Sequence, residues 1–504
     1  MKIIPKPLKT EMSNGMFKFS ASTIISCKMK IAQDELFFLD FAKADDNKIT
    51  FVEKNTEYDY QIEIGAKEIL VSAKNDEGAF HAIMTLKQLV FEGYKDGIAE
   101  IPCCKIADKA RFPYRGYMLD VSRHFFGIDT IKKIIDCLAL CKMNVLHLHL
   151  SDNQGFRVES EVFPLLNKIG SKKVGVDEND QTFEYYKKAE VKEIVNYAAE
   201  RFVEIIPEID LPGHTIDMLA SYPSLGCKEQ QVKLADVFKI DDRIICASKK
   251  ETYEFVFALL DEMCELFPSS TFHIGGDEAP KAQWKNCPHC QKLLAELGLK
   301  GGEELQGYFT NKVLDHLKEK GKHGMVWNEA LNSNMLDKSA TVQYWWDITL
   351  KNHIKAAAES GRSVVVSKTF KYYLDYNYGM TRLKDSYMFE PTKIGVSKKG
   401  KESIIGVEAP LWTEIVHSED RLFYQTFPRL FAVAESGWSD GKKNYKDFED
   451  RLYNILGIMQ AYDLNFATID ECNPCPIVKT AATAQFFGKL NTLSIKEVNN
   501  DKQY

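Results

Sequence analysis

Two adjacent carboxylates, Asp277 and Glu278, close the stretch 271–280, TFHIGGDEAP. Ionising one acid of such a pair raises the proton affinity of the other, so the two together can hold a proton that a lone surface acid would lose. Gly275 and Gly276, just before them, let the backbone turn sharply and leave room for a ligand to approach. A short apolar strand that ends in reactive acids is where an α/β barrel keeps its chemistry. The same ten residues would also serve as a solvated strand end. The surrounding elements must decide between the two readings.

Those elements alternate. From residue 111 onward, apolar strand patterns recur at 114–121, 144–150, 203–210, 271–276, 324–330, 341–347, 362–368 and 403–412, nearly all followed by segments with helical spacing. Asp129 is a plausible N-cap for the first helix, DTIKKIIDCLALCK. Eight strand–helix units are the count and order of a (β/α)8 TIM barrel. Runs such as VVV and VLHLHL show little alternation, which suits parallel strands enclosed on both faces. An open doubly wound sheet is the competing architecture, but no GxGxxG turn follows the first strand. Residues 1–107 read instead as strands (50–53, 60–64, 68–73) followed by a helix over 77–93 that stops at Gly93. The predicted organisation is a structural α+β domain over 1–107, a catalytic barrel over 108–475 and a C-terminal helix or tail over 476–504.

Composition narrows the partners. A formal charge of −7 over 504 residues gives no electrostatic reason to expect nucleic acid or an anionic membrane. No apolar run is long enough to span a bilayer. The first residues, with Pro5 and Pro7, lack the apolar stretch of a secretory signal, and twelve scattered cysteines suit a reducing compartment. The expected location is therefore cytoplasmic. A secreted or periplasmic location is open if a leader has been removed.

If the barrel is right, reactive side chains belong where strands end. Asp120 and Arg123-His124 follow the first strand, Asp152 and Asn153 the second, Glu208, Asp210 and His214 the third, and Asp277 and Glu278 the fourth. Trp327 and Glu329 follow the fifth, Trp345, Trp346 and Asp347 the sixth, Tyr372, Tyr373 and Asp375 the seventh, and Glu408, Trp412 and Glu414 the eighth. Arg115, which opens the first strand, is the exception by position. Read in order, YRGYMLDVSRHF (114–125), NVLHLHLSDNQGFR (144–157), IPEIDLPGH (206–214), FHIGGDE (272–278), VWNE (326–329), YLD (373–375) and WTE (412–414) resemble the β-N-acetylhexosaminidases of glycoside hydrolase family 20. The collinear match spans about 300 residues. GAFHAIMTLKQL in the N-terminal layer resembles the small domain that precedes the barrel in that family. Asn153 and Phe156 depart from its usual Asp and Trp.

The resemblance implies exo-acting hydrolysis of terminal β-linked N-acetylhexosamine, GlcNAc or GalNAc, by a retaining, substrate-assisted route through an oxazolinium-like intermediate, with no cofactor and no catalytic metal. Glu278 would be the general acid and base, and Asp277 and Tyr373 would orient the 2-acetamido group. Asp152 and His214 would form a hydrogen-bonded chain to Glu278. Arg115, Asp375 and Glu414 would bind sugar hydroxyls, and Trp327, Trp345 and Trp412 would wall the acetamide pocket and stack on the pyranose. Trp284, Trp346 and Trp438 are expected in the core. The loops at 220–246 and 376–400 would line the outer cleft and carry the choice of aglycone.

Two rival readings use other features. His147 and His149 share one face of a strand, and with His214, His273 and Asp277 they could hold the ion of a metal-dependent barrel hydrolase. A non-catalytic sugar-binding protein on the same barrel would be expected to lack Glu278 or Tyr373, and both are present. CPHC at 287–290 has zinc-knuckle spacing without an obvious second pair, so a helix-start turn is the preferred reading.

Overall fold

The computed structural model describes residues 1–44, 46–177, 179–346, 351–475 and 493–500. Eight parallel strands close into a barrel: Tyr114–Asp120, Val145–His149, Glu204–Glu208, Thr271–His273, His323–Trp327, Thr341–Tyr344, Val364–Val366 and Ile404–Leu411, the last pairing with the first. These are the eight strands the sequence predicts. Each is almost wholly buried, because helices cover the outside and side chains fill the inside. The pairing register sets Asp120 beside His149, His149 beside Glu208 and Glu208 beside His273. One layer near the C-terminal end of the barrel is therefore polar before any loop contributes.

Helix boundaries differ from expectation at two points. The first barrel helix is Ile128–Leu140 with Gly127 as N-cap, so Asp129 lies inside the first turn, where its charge faces the positive end of the helix. The helical spacing that follows the eighth strand is realised as two helices, Glu419–Thr426 and Arg429–Trp438, because Pro428 removes a donor and ends the first.

The N-terminal layer is a seven-stranded sheet in which two eleven-residue strands, Lys9–Phe19 and Ile98–Asp108, pair antiparallel and carry the helix Asp76–Gly93 on one face. Neither long strand is evident in the sequence. Lys9–Phe19 is an edge strand exposed along most of its length, and Pro102 interrupts Ile98–Asp108. Asn75 caps the helix by accepting from the Gly78 amide at 2.9 Å. Its residues 78–90 are all buried because the sheet covers one side and the barrel helices Ile128–Leu140 and Tyr445–Ala461 touch the other. Among the described residues no helix is long and apolar enough to cross a membrane. The predicted C-terminal segment 476–504 lies mostly outside the described residues. Within it the helix Ile495–Asn500 is described, and Ile495 donates to the Asp236 carbonyl at 2.9 Å.

A buried polar knot joins the two layers. Asp108, at the end of the sheet, accepts from Tyr60 Oη at 2.6 Å and from Trp438 Nε1 at 2.9 Å, and pairs with Lys142 Nζ at 3.3 Å. Lys142 also donates to Tyr60 Oη at 2.8 Å. Asp108 and Lys142 are both fully buried, so removing the acid would strand an ammonium in the interior. Asp108→Ala should destabilise the protein by about 3–5 kcal/mol, seen as a large drop in the thermal midpoint. Asp108→Asn, which keeps one acceptor, should cost less.

Candidate active site

The polar layer converges on Glu208. Its carboxylate lies 2.5 Å from His149 Nδ1, 3.2 Å from His147 Nε2 and 2.8 Å from His273 Nδ1, and accepts from Trp327 Nε1 at 2.9 Å. Burial alone would raise its pKa, but the three imidazoles hold it well below the ordinary carboxylate range. His147 reaches on to Glu408 at 3.1 Å, and His149 to Asp152 at 3.0 Å. Both ring nitrogens of both residues therefore face carboxylates inside the barrel. The HxH pair is thereby engaged with three buried carboxylates, Glu208, Glu408 and Asp152.

From Asp152 a chain leads outward. Arg123 Nη2 meets one carboxylate oxygen at 2.6 Å, and His214 Nδ1 meets the other at 3.2 Å. Burial opposes ionisation of Asp152, but Arg123 and His214 overcome it and keep the group well below its usual range. Burial likewise opposes protonation of His214, and Asp152 outweighs it, raising the imidazole well above its usual value. The other nitrogen of His214 lies 3.7 Å from Glu278 and 3.9 Å from Asp277. Asp152, His214 and Glu278 thus lie in line, with a hydrogen bond from His214 to Asp152 and a longer 3.7 Å approach to Glu278 in place of the expected second hydrogen bond.

The acid pair is held by strained backbone. Glu278 and His214 both sit in the left-handed region, at φ 45° and 53°. Non-glycine residues there store strain that the surroundings must over-determine. Gly275 is obligatory: a Cβ on it would lie 1.7 Å from Asp210 Oδ1, which accepts from the Gly276 amide at 3.0 Å. The turn separates the fates of the two acids, for Asp277 is buried and Glu278 is exposed at the rim. Burial, reinforced by the charges of Glu278 and Glu208, raises Asp277 to about 6. Burial and the nearby Asp277 raise Glu329 to about 8, and Glu329 accepts from Trp345 Nε1 at 2.8 Å.

Asp277, Glu278, His214, Tyr373, Asp375, Trp327, Trp345, Trp412 and Glu414 line one pocket of about 140 Å3. The Trp327 and Trp412 ring centroids are 5.9 Å apart, and Tyr373 stacks on Trp345 at 5.8 Å. These planes form apolar walls suited to the faces of a pyranose and a methyl group. Trp284 and Trp438 are core residues, as expected, while Trp346 is half-buried beside Trp345. Asp347 lies outside the described residues. Asn153 accepts from the Ile216 amide at 3.3 Å, and Phe156 is fully buried, so both departures from the family pattern are absorbed in packing.

Arg115 does not reach this pocket. It is the second residue of its strand, roughly 16 Å from Asp120 at the other end. Its guanidinium is buried at the foot of the barrel, where Nε donates to the Lys142 carbonyl and Nη1 to the Phe112 carbonyl, both at 2.8 Å, over the Trp438 ring. The cation in the pocket is Arg123, which follows the same strand and bridges Asp120 and Asp152. The rule that reactive residues sit at strand ends already separates the two. Tyr376 also lines the pocket, and its only signal in the sequence is its place one residue after Asp375.

The family model described as "Glycosyl hydrolase family 20, catalytic domain" matches residues 112–441, and its "domain 2" matches residues 1–109. A beta-hexosaminidase of Porphyromonas gingivalis is 31% identical over 92% of this chain, which spans 64% of that protein's length. The beta-hexosaminidase subunit beta of Homo sapiens is 32% identical over 74% of this chain and 64% of its own. Among solved structures, the GH20 beta-N-acetylhexosaminidase of Streptomyces coelicolor superposes with a TM-score of 0.82 at 30% identity, covering 92% of this chain and 97% of its own. The GH20 exo beta-N-acetylglucosaminidase of Vibrio harveyi, in complex with N-acetylglucosamine, gives 0.82 at 28% identity over 93% and 78%.

The two arginines should respond differently to substitution. Arg123→Ala should lower kcat/KM for a small glycoside by about 10²-fold or more, in keeping with the 2–5 kcal/mol cost of breaking a buried charge pair. Arg115→Lys should mainly lower the thermal midpoint, with KM near wild type. A KM defect of the same size in both would contradict this placement.

Proposed function

Because the chain belongs to glycosyl hydrolase family 20, we propose that it releases terminal β-linked N-acetylhexosamine residues, one at a time, with retention of configuration. The observation that carries this reading is that Tyr373, Asp277 and Glu278 share one pocket walled by three indoles. In it the substrate's own amide acts as nucleophile. Buried Asp277 accepts the acetamido N–H, and the Tyr373 hydroxyl donates to the acetamido carbonyl, turning its oxygen toward the anomeric carbon. Glu278, at the open rim, gives its proton to the glycosidic oxygen as that bond breaks and the bond from C1 to the amide oxygen forms.

The resulting oxazolinium is cationic, and ionised Asp277 beside its N–H stabilises it. The walls exclude water until the leaving group departs. Water then enters on that side, Glu278 takes its proton, and the ring opens to the product. Through this cycle His214, held by Asp152 and Arg123, offers Glu278 a polar partner whichever protonation state it holds. Arg123, Asp375 and Glu414 bind sugar hydroxyls, with Tyr376 closing in beside them. A cytoplasmic site of action is part of the same proposal, supported by twelve cysteines without a disulfide among them.

Glu278→Gln should lower kcat on a natural oligosaccharide by roughly 10²–10⁴-fold, and much less on an aryl glycoside whose leaving group needs no proton. The same protein should not turn over the aryl β-glucoside that lacks the acetamido group. Equal turnover of the two sugars would defeat the mechanism. Since Asp277 acts as the carboxylate, kcat/KM should fall about tenfold per pH unit below its value of about 6. A pH–rate profile that stays flat from about pH 4, the ordinary aspartate range, to about pH 7 would contradict the role given to Asp277.

A further inference from the structure

The CPHC turn opens the helix Pro288–Leu297, with Cys287 as N-cap and Pro288 at the first helical position. It therefore is the helix start that the sequence suggests, but the fold also supplies the second pair of cysteines that the sequence conceals. Cys227 and Cys246, at the two ends of the loop after the third barrel strand, are brought against it. One Sγ from each of Cys227, Cys246, Cys287 and Cys290 lies within 4.8 Å of all the others. Cys246 and Cys290 are 3.6 Å apart at sulfur, and Cys227 and Cys290 3.9 Å.

Those separations identify the chemistry. Four thiolates about 2.3 Å from a tetrahedral zinc ion have edges of about 3.8 Å. A disulfide needs sulfurs about 2.05 Å apart. We propose that Cys227, Cys246, Cys287 and Cys290 bind one structural Zn2+ ion, a site separate from the glycosidase pocket and independent of the activity assigned to it. Four soft thiolates fill the coordination shell and leave no open position for substrate or water, so the ion has no part in the hydrolysis. Binding releases the thiol protons to solvent and leaves two negative charges on the complex. Lys249 ties the same loop together, donating to the Ser224 and Gly226 carbonyls at 2.7 and 2.8 Å and pairing with Glu229 at 2.8 Å.

The surroundings are built to hold the four sulfurs in place. Cys246 N donates to the Leu225 carbonyl at 2.7 Å, and Gly226 and Ile245 form an isolated antiparallel bridge, which pinches the loop shut next to both of its cysteines. Trp284, fully buried, donates from Nε1 to the Ile245 carbonyl at 2.9 Å and so locks the helix segment to the loop. The pinched loop then reaches the residues after Asp152: Ala235 N donates to the Asn153 carbonyl, and Gln154 Nε2 to the Val237 carbonyl, both at 2.9 Å. Zinc would thereby join the segment that follows Glu278 to the loop that rests on the neighbour of Asp152.

The test is metal analysis of the full chain, purified under reducing conditions without chelator. About one zinc per chain is expected, retained on dialysis and released to a chromogenic chelator in step with mercurial titration of four thiols. Cobalt-grown protein should show the intense visible bands of tetrahedral tetrathiolate Co2+. Cys287→Ser/Cys290→Ser should lose the metal and lower the thermal midpoint, whereas Cys475→Ser, at an exposed cysteine outside the cluster, should keep both. If the double variant does not fold, the zinc content and cobalt spectrum of the parent chain still decide. Protein grown with added zinc that holds none after dialysis would overturn the proposal. So would an intact mass two hydrogens light that maps to a disulfide among these four residues.

Discussion

A carboxylate buried at the heart of the barrel organises everything above it. Taking Glu208 out of water is costly, and the cost is met by an indole N–H and three imidazoles arranged around it. Two of these partners have a second task. Trp327 gives the pocket one of its walls. His149 carries the connection to Asp152, and Asp152 carries it to His214 and the rim. Glu278 thereby stands at the outer end of a line that starts at Glu208 in the barrel interior and runs through His149, Asp152 and His214. Such a line fixes positions better than a loop could by itself.

The acid pair shows how the fold gives two neighbouring groups of the same chemistry different work. A turn through two glycines and a left-handed Glu278 points one carboxylate inward and the other to the rim. Burial then raises the proton affinity of the inner one. Position along a strained backbone, more than residue type, sets which acid is buried and which lies at the rim.

Much of this is legible in the sequence. The barrel is, because eight apolar segments keep the period and spacing that parallel strands demand, and because acids and aromatics gather at their C-terminal ends. The Asp152–His214–Glu278 line is legible only through the resemblance, since 62 residues separate Asp152 from His214 in the chain. Motif likeness puts Arg115 in the pocket, and strand direction, the one physical rule that distinguishes it from Arg123, takes it out again. Lys9–Phe19 escapes notice because an exposed edge strand has no buried face to impose alternation on its residues. The second cysteine pair cannot be found by spacing at all. Cys227 and Cys246 meet CPHC only once the third and fourth strands lie side by side.

The knot at the foot of the barrel bears on how such a protein can change its parts. Its acid and a tyrosine come from the sheet layer, while its lysine and a tryptophan come from the barrel. A recombination event in the short join between Asp108 and Tyr114 would separate the partners of a fully buried ion pair. Chimeras made at that junction would therefore inherit a functional barrel only from parents that place a carboxylate at the same register of the last sheet strand. The stability of each layer thus depends on the other, even though the pocket lies in only one of them.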